Sequence, residues 1–568
     1  MSHTVHHSVW RVAGAVLFAF AADTVWGARV FVGIMEADSY QSVIYGASAF
    51  SRVSDLPLVL EVVNDTLMRR MAVPSFDGVS ATDTLRYVLT ADPSRPLGDD
   101  NPSGVALIPL ADQGTSSQAA FTAAYAKRST DTPPFVVFEA PHDTNLSARV
   151  ATALSGHYLF TSTSTDALAW AWENREKLMD APSQSISGTV RMLVNPQRFA
   201  DILGTRGQKA YAFINLDKFL RDFDTLSFSL NVDGQSLTLT LRGKPLANTP
   251  LQALSAALHE PTPTLWNGVP NNAFFSSVSA CGNLKPWDAY LNETPFNPLD
   301  PMRGLAPDEA FADERLIYLA PPRAKAGLCL VQILPVKNSD AAGQAIQKLQ
   351  NAKIDERISL VRRPPSQTPK TFPIETYDVQ VRAPAPAVGG ATKKGEEASL
   401  AFTIASLFLR HAVLEATVTN GYLVAALGPA SGTLEGELSA LAFAQKPVSL
   451  PRQLVLKNPM LDGTVTSATF LNAADLLRHI ASIMPGIKPE QLRVLSASGG
   501  GASFGLCKGS DQTLTASLSI QSNEITALQR INRDGREVLQ ELFFQMFTHQ
   551  MMNLDKKAEE PPQFQSAP

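Results

Sequence analysis

The chain has 568 residues, of which 45% are hydrophobic and 18% charged, a composition typical of a globular protein with two to four domains. Its 48 Lys and Arg residues against 53 Asp and Glu residues give a formal net charge of -5. Because a weak acidic excess offers no electrostatic attraction for polyphosphate, the charge excludes nucleic acid as an expected partner.

The first 27 residues have the pattern of a secretory signal peptide. Arg11 is the only Lys or Arg before an apolar run from Val12 to Ala22, and short residues around Gly27 provide a cleavage site. The run is too short to span ~30 Å of hydrocarbon as a helix, so we expect cleavage rather than a retained anchor. The cut is expected after Gly27, with Ala22 as second choice. The expected location is the periplasm, with the extracellular space as second choice.

Nothing in the sequence after the signal is an apolar run of membrane-spanning length. We therefore expect no integral membrane segment once the signal is removed. No Cys lies near the cleavage region, so the acceptor that a lipoprotein needs for its acyl chains is missing. The mature protein is expected to be soluble.

Hydrophobic periodicity predicts helices and strands in both halves of the chain. Apolar residues at helical spacing predict helices at 39–51, 58–71 and 167–178. Alternation of Leu with Thr or Ser predicts half-buried strands at 236–242 and 513–520. Strands with one polar face are typical of an antiparallel sheet that packs its other face against helices.

Five short segments recur in the same order in the second half of the chain. The first match pairs 105–110 with 331–336, and each copy continues through a polar turn into a helical stretch, at 118–127 and 341–350. The other matches pair 156–159 with 420–423, 188–190 with 463–465, 200–203 with 474–477, and 226–230 with 502–506. We predict an α+β protein made of two tandem diverged copies of one unit, each with a largely antiparallel sheet packed by helices.

The repeat places the domain boundaries. Residues 28–258 form the first copy and 271–552 the second, which carries a Pro-, Gly- and charge-rich insert at about 382–397 that we expect to be mobile. Three prolines in the linker 259–270 discourage both helix and central strand. The tail 553–568 is expected to be disordered.

One segment has the pattern of a catalytic nucleophile. Residues 501–505 read Gly-Ala-Ser-Phe-Gly, which fits the G-x-S-x-G elbow of serine hydrolases, and Asp534 and His549 follow Ser503 in the hydrolase order. A working elbow needs a helix directly after the Ser, whereas this sequence returns to a Thr/Leu strand. The matching Ser227 has no flanking glycines. We therefore interpret Ser503 as a hairpin residue and keep serine hydrolysis as an alternative.

The three cysteines, Cys281, Cys329 and Cys507, share no metal-ligand spacing. Cys329 lies in an apolar segment that predicts a buried thiol in a core strand. Such a low count for an exported chain indicates a fold that does not depend on a disulfide framework, although one disulfide among the three stays open.

Other polar features have ordinary structural explanations, so no catalytic, cofactor or metal site is predicted. His157 is expected at a strand end, and 142–143 (His-Asp) and the acid pairs 99–100 and 396–397 in solvated loops. The glycines 499–501 lack the Lys-Ser/Thr of a phosphate-binding loop and fit a flexible entry to a hairpin.

The strongest predicted helix is 524–552, whose apolar stripe from Val538 to Phe547 we expect to pack on the second sheet. Docking of a partner or a membrane surface is the alternative for this stripe, but its polar face lacks the Lys/Arg bias of a membrane-binding helix.

The sequence as a whole favours a non-enzymatic envelope protein that acts as a binding or interaction module for an unknown protein or cell-envelope component. The joint region 259–275 is the expected neighbourhood of the site, since ligand grooves occur between domains. The alternatives are a carrier of hydrophobic ligands inside two hollow units and the hydrolase that uses Ser503.

Overall fold

The computed structural model describes the greater part of the chain from Arg29 to Gly535. The described residues are 29–54, 59–92, 102–112, 114–125, 127–132, 134–140, 148–180, 188–207, 215–281, 285–290, 310–322, 327–349, 358–364, 373–381, 412–429, 431–441, 463–483, 489–495 and 499–535. The predicted signal peptide, the 382–397 insert, the 536–552 part of the last predicted helix and the 553–568 tail lie outside them.

The protein is mixed helix and strand, 35% helical and 40% strand, with a large antiparallel sheet. This confirms the α+β class and the antiparallel pairing. The chain forms two compact units. Unit 1 comprises Met1–Ala256, Lys285–Thr294 and Gly509–Ser517, and unit 2 comprises Ala257–Leu284, Pro295–Lys508 and Leu518–Pro568.

Twenty strands are assigned in the described residues. They are β1 Val30–Ala37, β2 Leu85–Ala91, β3 Ser103–Pro109, β4 Lys127–Thr132, β5 Phe135–Glu139, β6 Arg149–Ser155, β7 Tyr158–Ser162, β8 Val190–Val194, β9 Phe223–Val232, β10 Ser236–Pro245, β11 Phe275–Ala280, β12 Glu314–Ala320, β13 Cys329–Pro335, β14 Ile358–Arg362, β15 Glu375–Val381, β16 Val413–Thr419, β17 Tyr422–Gly428, β18 Thr464–Leu471, β19 Ala502–Lys508 and β20 Leu514–Gln521.

Fourteen α-helices and one 3₁₀ helix, Lys285–Tyr290, are assigned in the same residues. The α-helices are α1 Tyr40–Ser54, α2 Val59–Met71, α3 Thr115–Ala124, α4 Thr165–Glu173, α5 Arg175–Met179, α6 Pro196–Gly207, α7 Leu216–Arg221, α8 Pro250–Ala257, α9 Pro263–Asn267, α10 Ser339–Lys348, α11 Thr433–Leu441, α12 Ala473–Ile483, α13 Pro489–Val494 and α14 Ser522–Asp534.

The two units have the same strand order. Unit 1 runs β4-β5-β6-β7-β3-β2-β1-β8-β9-β10, with every neighbouring pair antiparallel. Unit 2 runs β14-β15-β16-β17-β13-β12-β11-β18-β19, again antiparallel throughout, and β20, whose first four residues are grouped with unit 1, follows β19. Each strand of unit 2 therefore has a counterpart ten strands earlier in the chain. The common origin of the two units stays a prediction.

Unit 1 covers both faces of its sheet with helices. On one face α4 packs Ala167, Leu168 and Ala171 against strand residues that include Val88 and Leu107. On the opposite face, residues of α1, α2 and α3 pack on β1, β2, β3 and β8 in a second cluster. Since both faces are buried, the strands of unit 1 carry apolar residues on both sides.

Unit 2 has its main core on one face of the sheet. Leu265 and Trp266 of α9 and Leu434 of α11 pack there against strand residues that include Tyr318 and Val331. Smaller clusters lie under α10 and around α12, α13 and α14.

Most predicted elements lie where periodicity placed them. The helices predicted at 39–51 and 58–71 are α1 and α2, and the strands predicted at 236–242 and 513–520 are β10 and β20. The helix predicted at 167–178 is divided into α4 and α5 at Asn174, whose side-chain amide donates to the Trp170 carbonyl at 2.9 Å. Of the helix predicted at 524–552, α14 is the described part.

The expectation that prolines keep the linker free of helix is wrong at one place. Residues Pro263–Asn267 form the short helix α9, with Pro263 in its first turn. A proline at that position costs no hydrogen bond, because the first amides of a helix have no intrahelical acceptor. Trp266 is buried in the unit 2 core, so this part of the linker contributes to the packing of that unit. No helix of the described residues is long and apolar enough to cross a membrane.

Candidate functional site

Hydrogen bonds at the strand ends align the two units residue by residue. The Leu110 amide donates to the His157 carbonyl at 2.7 Å, and the Val336 amide donates to the Gly421 carbonyl at 2.8 Å. The neighbouring cross-strand pairs also correspond, since Pro109 lies opposite Tyr158 and Pro335 opposite Tyr422. These are the residues that the sequence repeat pairs, so corresponding positions can be compared directly.

A second alignment comes from the N-termini of α6 and α12. The Asn195 amide donates to the Val32 carbonyl at 2.7 Å, and its side-chain oxygen accepts the Arg198 amide at 3.1 Å. Asn472 repeats both bonds, to the Phe274 carbonyl at 2.7 Å and from the Asp475 amide at 2.9 Å. Val194 therefore corresponds to Leu471, the residue before each Asn.

Unit 2 exposes large apolar side chains on one face of its sheet. Cross-strand pairs place Leu330, Leu319, Phe275 and Leu471 in one row across β13, β12, β11 and β18. Directly paired residues of antiparallel strands share a face. Ile317 and Phe504 belong to the next row, since they lie opposite Ser277 and Thr469. We call this six-residue set the open face.

The exposure of the open face sets it apart from an ordinary surface. Leu330 is 38% exposed, Leu471 37% and Phe504 41%, and the other three side chains are half-buried. The alternate residues on the same strands, such as Val278, Leu316 and Tyr318, are almost fully buried in the core. Scattered exposed apolar residues are normal, whereas a contiguous apolar set on one sheet face marks a candidate interaction surface.

The corresponding face of unit 1 is covered. Leu89 and Val194, which correspond to Leu319 and Leu471, are 2% and 3% exposed. The cluster on this face includes Tyr40 and Val43 of α1 and residues of α2. In the chain of unit 1 this helix pair follows β1 and precedes β2. The described residues between β11 and β12 form only one helix, the 3₁₀ helix Lys285–Tyr290, and that helix belongs to unit 1.

Where the α1–α2 pair contacts the unit 1 sheet, unit 2 has polar residues at the corresponding positions. Ala37 pairs with Leu85 and Val190 in unit 1, and the corresponding trio in unit 2 is Ser279, Arg315 and Ser467. Gln332 likewise replaces Ala106. The Arg315 Nε donates to the Ser279 hydroxyl at 3.2 Å. On this face of unit 2 the row of Leu330, Leu319, Phe275 and Leu471 is therefore apolar, the row of Ile317 and Phe504 is mixed, and the row of Ser279, Arg315 and Ser467 is polar.

The buried charged groups of unit 1 have a structural role. The Arg86 Nε donates to the Glu36 carboxylate at 3.0 Å, and its guanidinium also donates to the carbonyl of Leu178 at the end of α5. Both side chains are nearly inaccessible. The corresponding pair in unit 2 is Val278 with Leu316. The same position in the sheet therefore holds an ion pair in unit 1 and two apolar side chains in unit 2.

Buried carboxylates of unit 2 hold helix N-termini. Glu415 accepts the amides of Gly432 and Leu434 at 2.8 and 2.9 Å, at the start of α11. Glu437, on the same helix, accepts the Tyr318 hydroxyl at 3.0 Å. Burial, with Glu437 and then Glu415 nearby, raises the pKa of the Cys329 thiol to about 12. The thiol is therefore protonated at neutral pH and unreactive.

The glycines predicted as a flexible entry to a hairpin lie beside another buried carboxylate, that of Glu524. Glu524 accepts the amides of Ala474 and Gly501 at 3.0 Å each. A Cβ on Gly499 would lie 1.8 Å from the Glu524 carboxylate oxygen, and Gly501 has φ +82°. The glycines thus allow close approach of Glu524, which caps α12.

Ser503 lies in strand β19, buried and paired with Phe470, and the chain continues through a turn into β20. This confirms the hairpin and the lack of an elbow helix directly after Ser503. Asp534 ends α14, and His549 lies outside the described residues.

The other sequence-predicted positions are placed as follows. Cys329 is buried at the start of β13, as predicted, Cys281 and Cys507 are also buried, and no disulfide joins the three. His157 is exposed in the turn between β6 and β7. Residues 99–100, 142–143 and 396–397 lie outside the described residues. Within the part of the chain that the structure describes, no group of three or more His, Cys, Asp or Glu could hold a metal ion.

The expected site region 259–275 is divided. Leu265 and Trp266 are buried in the core of unit 2, whereas Phe275 belongs to the open face. The rest of the open face was not found by sequence reasoning. The sequence signal for the open face was the alternation of large apolar residues with core residues on β11, β12 and β19. Strands that are buried on both faces show the same alternation, so this signal does not identify an exposed face.

No family model matches the chain, and no curated protein or solved structure matches it.

Proposed function

We propose that the protein is an exported, non-enzymatic interaction protein of the cell envelope, most simply in the periplasm. It consists of two tandem diverged copies of one ten-strand unit, and the open face of unit 2 is its docking surface. The observation that carries the proposal is the contrast between the units. On this sheet face Val194 of unit 1 is 3% exposed, whereas its counterpart Leu471 is 37% exposed in unit 2, beside Leu330 at 38% and Phe504 at 41%.

The duplication is supported by three independent features. The strand order is the same in both units, and the hydrogen bonds at Leu110 and Val336 link corresponding residues. The segments that recur in the sequence occupy corresponding strands, such as β3 and β13. A duplicated unit can keep its fold in both copies while one copy loses the cover of a sheet face and gains a binding surface.

Docking is supported by the energetics of the exposed side chains. Fully burying a Leu or Phe side chain stabilises a complex by ~1.5–3 kcal/mol relative to full exposure. A partner that covers six partly exposed apolar residues therefore gains enough for specific binding, provided that its shape is complementary.

Site-specific photocrosslinking tests the proposal in cells that export the chain. A photoreactive amino acid is placed at Phe504 or Leu330, and the control is placed at Gln118, an exposed residue of α3. We expect adducts with one or a few partner proteins from the two open-face positions and none from Gln118. Equal labelling at all three positions, or no adduct at any, would contradict a docking role.

The carrier and hydrolase alternatives predict different results. A carrier would copurify with lipid that a Phe504→Asp substitution on the outer sheet face leaves in place. A hydrolase would react with a serine-directed covalent probe, and Ser503→Ala would abolish that labelling. The interaction proposal predicts neither result.

A further inference from the structure

We propose that residues 536–552 of this chain occupy the open face when no partner is bound, so that the C-terminal segment regulates access to the docking surface. This inference rests on the proposed function and adds its regulation. The segment lies outside the described residues, and the described elements of unit 2 that lead up to it are α12 and α14.

The apolar row of the open face is bulkier in unit 2 than in unit 1. In unit 1 the row reads Gly104, Leu89, Gly33 and Val194 across β3, β2, β1 and β8. The corresponding residues of unit 2 are Leu330, Leu319, Phe275 and Leu471. Large apolar side chains thus replace two glycines, and the described residues leave Leu330 and Leu471 38% and 37% exposed. An apolar segment that covers this row removes those side chains from water.

The helix α12 lies along this row. The Asn472 amide, directly before α12, donates to the Phe274 carbonyl at 2.7 Å. The Nε2 atom of His479 lies 2.7 Å from the Gly327 carbonyl oxygen, and the centroids of the His479 and Phe274 rings are 5.0 Å apart. Phe274 directly precedes β11 and Gly327 lies just before β13. The helix therefore crosses the ends of the strands from β18 to β13, where the row lies.

The helix α14 starts from the same end of the sheet. The Glu524 carboxylate accepts the amides of Ala474 and Gly501 at 3.0 Å each. Ala474 lies in the first turn of α12, and Gly501 directly precedes β19, the strand that carries the exposed Phe of the open face. Further along α14, Ala527 and Ile531 pack in one cluster with residues of α12. The chain thus continues into 536–552 from a helix that rests on α12.

The lengths of these elements bring the segment within reach of the row. At ~1.5 Å per residue α14 is ~20 Å long, so Gly535 lies within ~20 Å of Glu524. Residues 536–552 span ~25 Å as a helix and roughly 56 Å when fully extended. The row crosses four strands that are ~4.8 Å apart, a width of ~14 Å. Helical or extended, the segment is long enough to return past α12 and cover the whole row.

The segment also has the apolar content that the row requires. Its apolar stripe consists of Val538, Leu539, Leu542, Phe543, Met546 and Phe547. Gln540 and Gln545 lie between these residues and belong to its polar side. The stripe and the row both leave water when they meet, which favours the contact. Because the segment and the face belong to one chain, the contact forms at a high effective concentration, and a partner must compete with it.

Photocrosslinking of the purified full-length chain tests the inference. A photoreactive amino acid replaces Phe504 or Leu330, and the control replaces Gln118. We expect mass spectrometry to find crosslinks to residues 536–552 from the two open-face positions and none from Gln118. A mixture of isotope-labelled and unlabelled chains shows whether each crosslink lies within one chain. The inference would be overturned if 536–552 were not crosslinked, if the crosslinks joined two chains, or if the apolar residues 398–411 were crosslinked in its place.

Charges placed in the segment provide a second test. Leu542→Asp with Met546→Asp should release the segment, because two carboxylates oppose burial against apolar side chains. The matched control, Gln540→Asp with Gln545→Asp, adds the same charge on the polar side and should leave the contact unchanged. In a chain that also carries Leu471→Cys, we expect maleimide labelling to become at least threefold faster with the first pair and to stay unchanged with the second.

Thermal unfolding establishes that both double variants are folded. Equal labelling rates in the two folded variants would overturn the inference. Because a partner must be able to displace the segment, the contact opens and closes in the unaltered chain. Leu471→Cys therefore still labels faster there than Val194→Cys, whose position is buried in unit 1.

Two outcomes separate this inference from the proposed function. Partner adducts from Phe504 in cells, without crosslinks to 536–552 in the purified chain, would leave the docking surface standing and overturn its regulation. Crosslinks to 536–552 without any partner adduct, even with Leu542→Asp and Met546→Asp, would show that the segment is a permanent cover and would overturn both proposals. If both proposals hold, this double variant gives more partner adduct than the control pair.

Discussion

Glu36 and Arg86 form a buried ion pair at the position where unit 2 has Val278 and Leu316. Two buried charges are tolerated only when they are paired and hydrogen-bonded, because each loses its hydration. Arg86 meets this condition by also donating to the Leu178 carbonyl. The pair could not be predicted, because the meeting of two residues 50 positions apart on different strands depends on a strand register that the sequence does not reveal.

Removing one member of the pair should be costly. We expect Arg86→Leu to lower the free energy of unfolding of unit 1 by about 3–5 kcal/mol, because it leaves the Glu36 carboxylate buried without its partner. The double variant Glu36→Val with Arg86→Leu imports the unit 2 pair and should recover part of that loss. Pulse proteolysis in urea measures both values. The single variant Glu36→Val completes the cycle, and a double variant whose loss equals the sum of the two single losses would show that the side chains are not coupled.

Cys329 gives a prediction for alkaline pH. Its pKa is raised to about 12 in the folded chain, whereas an unfolded thiol titrates near 8.5. The unfolded chain therefore loses this proton first as the pH rises, so stability is intact below about pH 8.5 and falls toward pH 12. Tyr377 acts in the same direction, since burial and then Glu375 raise its pKa to about 12.

Two measurements check the alkaline prediction. We expect the urea midpoint to fall between pH 9 and pH 11 and the fall to be smaller in Cys329→Ala. At pH 8 iodoacetamide should leave the three buried cysteines unmodified in the folded protein and label all three in denaturant. Rapid labelling of Cys329 in the folded chain would contradict its burial.

Periodicity predicted most of the elements that it was applied to, because apolar spacing records which face of a helix or strand is buried. It failed where a local hydrogen bond or a cap decides the boundary. The side chain of Asn174 ends α4 inside a continuous apolar pattern, and Pro263 begins a helix in a segment whose prolines indicated none. The glycines at 499–501 were interpreted as a flexible entry, yet two of them make room for Glu524 and Asn523.

The matched helix caps give a prediction at the scale of elements. Asn195→Ala and Asn472→Ala each remove a side-chain oxygen that accepts an amide in the first turn of α6 or α12. Each substitution should lower the free energy of unfolding of its unit by about 1 kcal/mol. Asn→Asp at the same positions keeps the acceptor and should cost much less. Hydrogen exchange of the first-turn amides reports the effect, and unchanged exchange in the Ala variants would show that these caps are dispensable.

At the scale of the whole molecule, the sequence predicted the mixed helix and strand class and the antiparallel sheet. The strand order is the same in both units, and their origin by duplication stays a prediction. The open face could not be predicted, because a strand that is buried on both sides and a strand with one exposed apolar face have the same residue pattern. Phe275 and Leu319 resemble core residues in the sequence. Only the contrast with Gly33 and Leu89 of unit 1, which are buried, shows that their face is less covered by the described residues.

The proposed export gives a prediction about the mature chain. We expect N-terminal sequencing of the protein from the periplasmic fraction to begin at Ala28, or at Asp23 if the second cleavage site is used. Replacing Gly27 by a large residue such as Trp should slow cleavage at the first site, because signal peptidase requires small residues there. An intact N-terminus in the mature protein would contradict the expected cleavage.

Cysteine accessibility at one matched pair of positions tests whether this sheet face is open in unit 2 and covered in unit 1. Leu471→Cys places a thiol on the open face, and Val194→Cys places one at the corresponding, buried position of unit 1. With the three native cysteines buried, maleimide labelling of the folded full-length protein reports the two new thiols. We expect labelling of Leu471→Cys to be at least tenfold faster than labelling of Val194→Cys. Equal rates would mean that the two faces are equally covered and would contradict an open docking surface on unit 2.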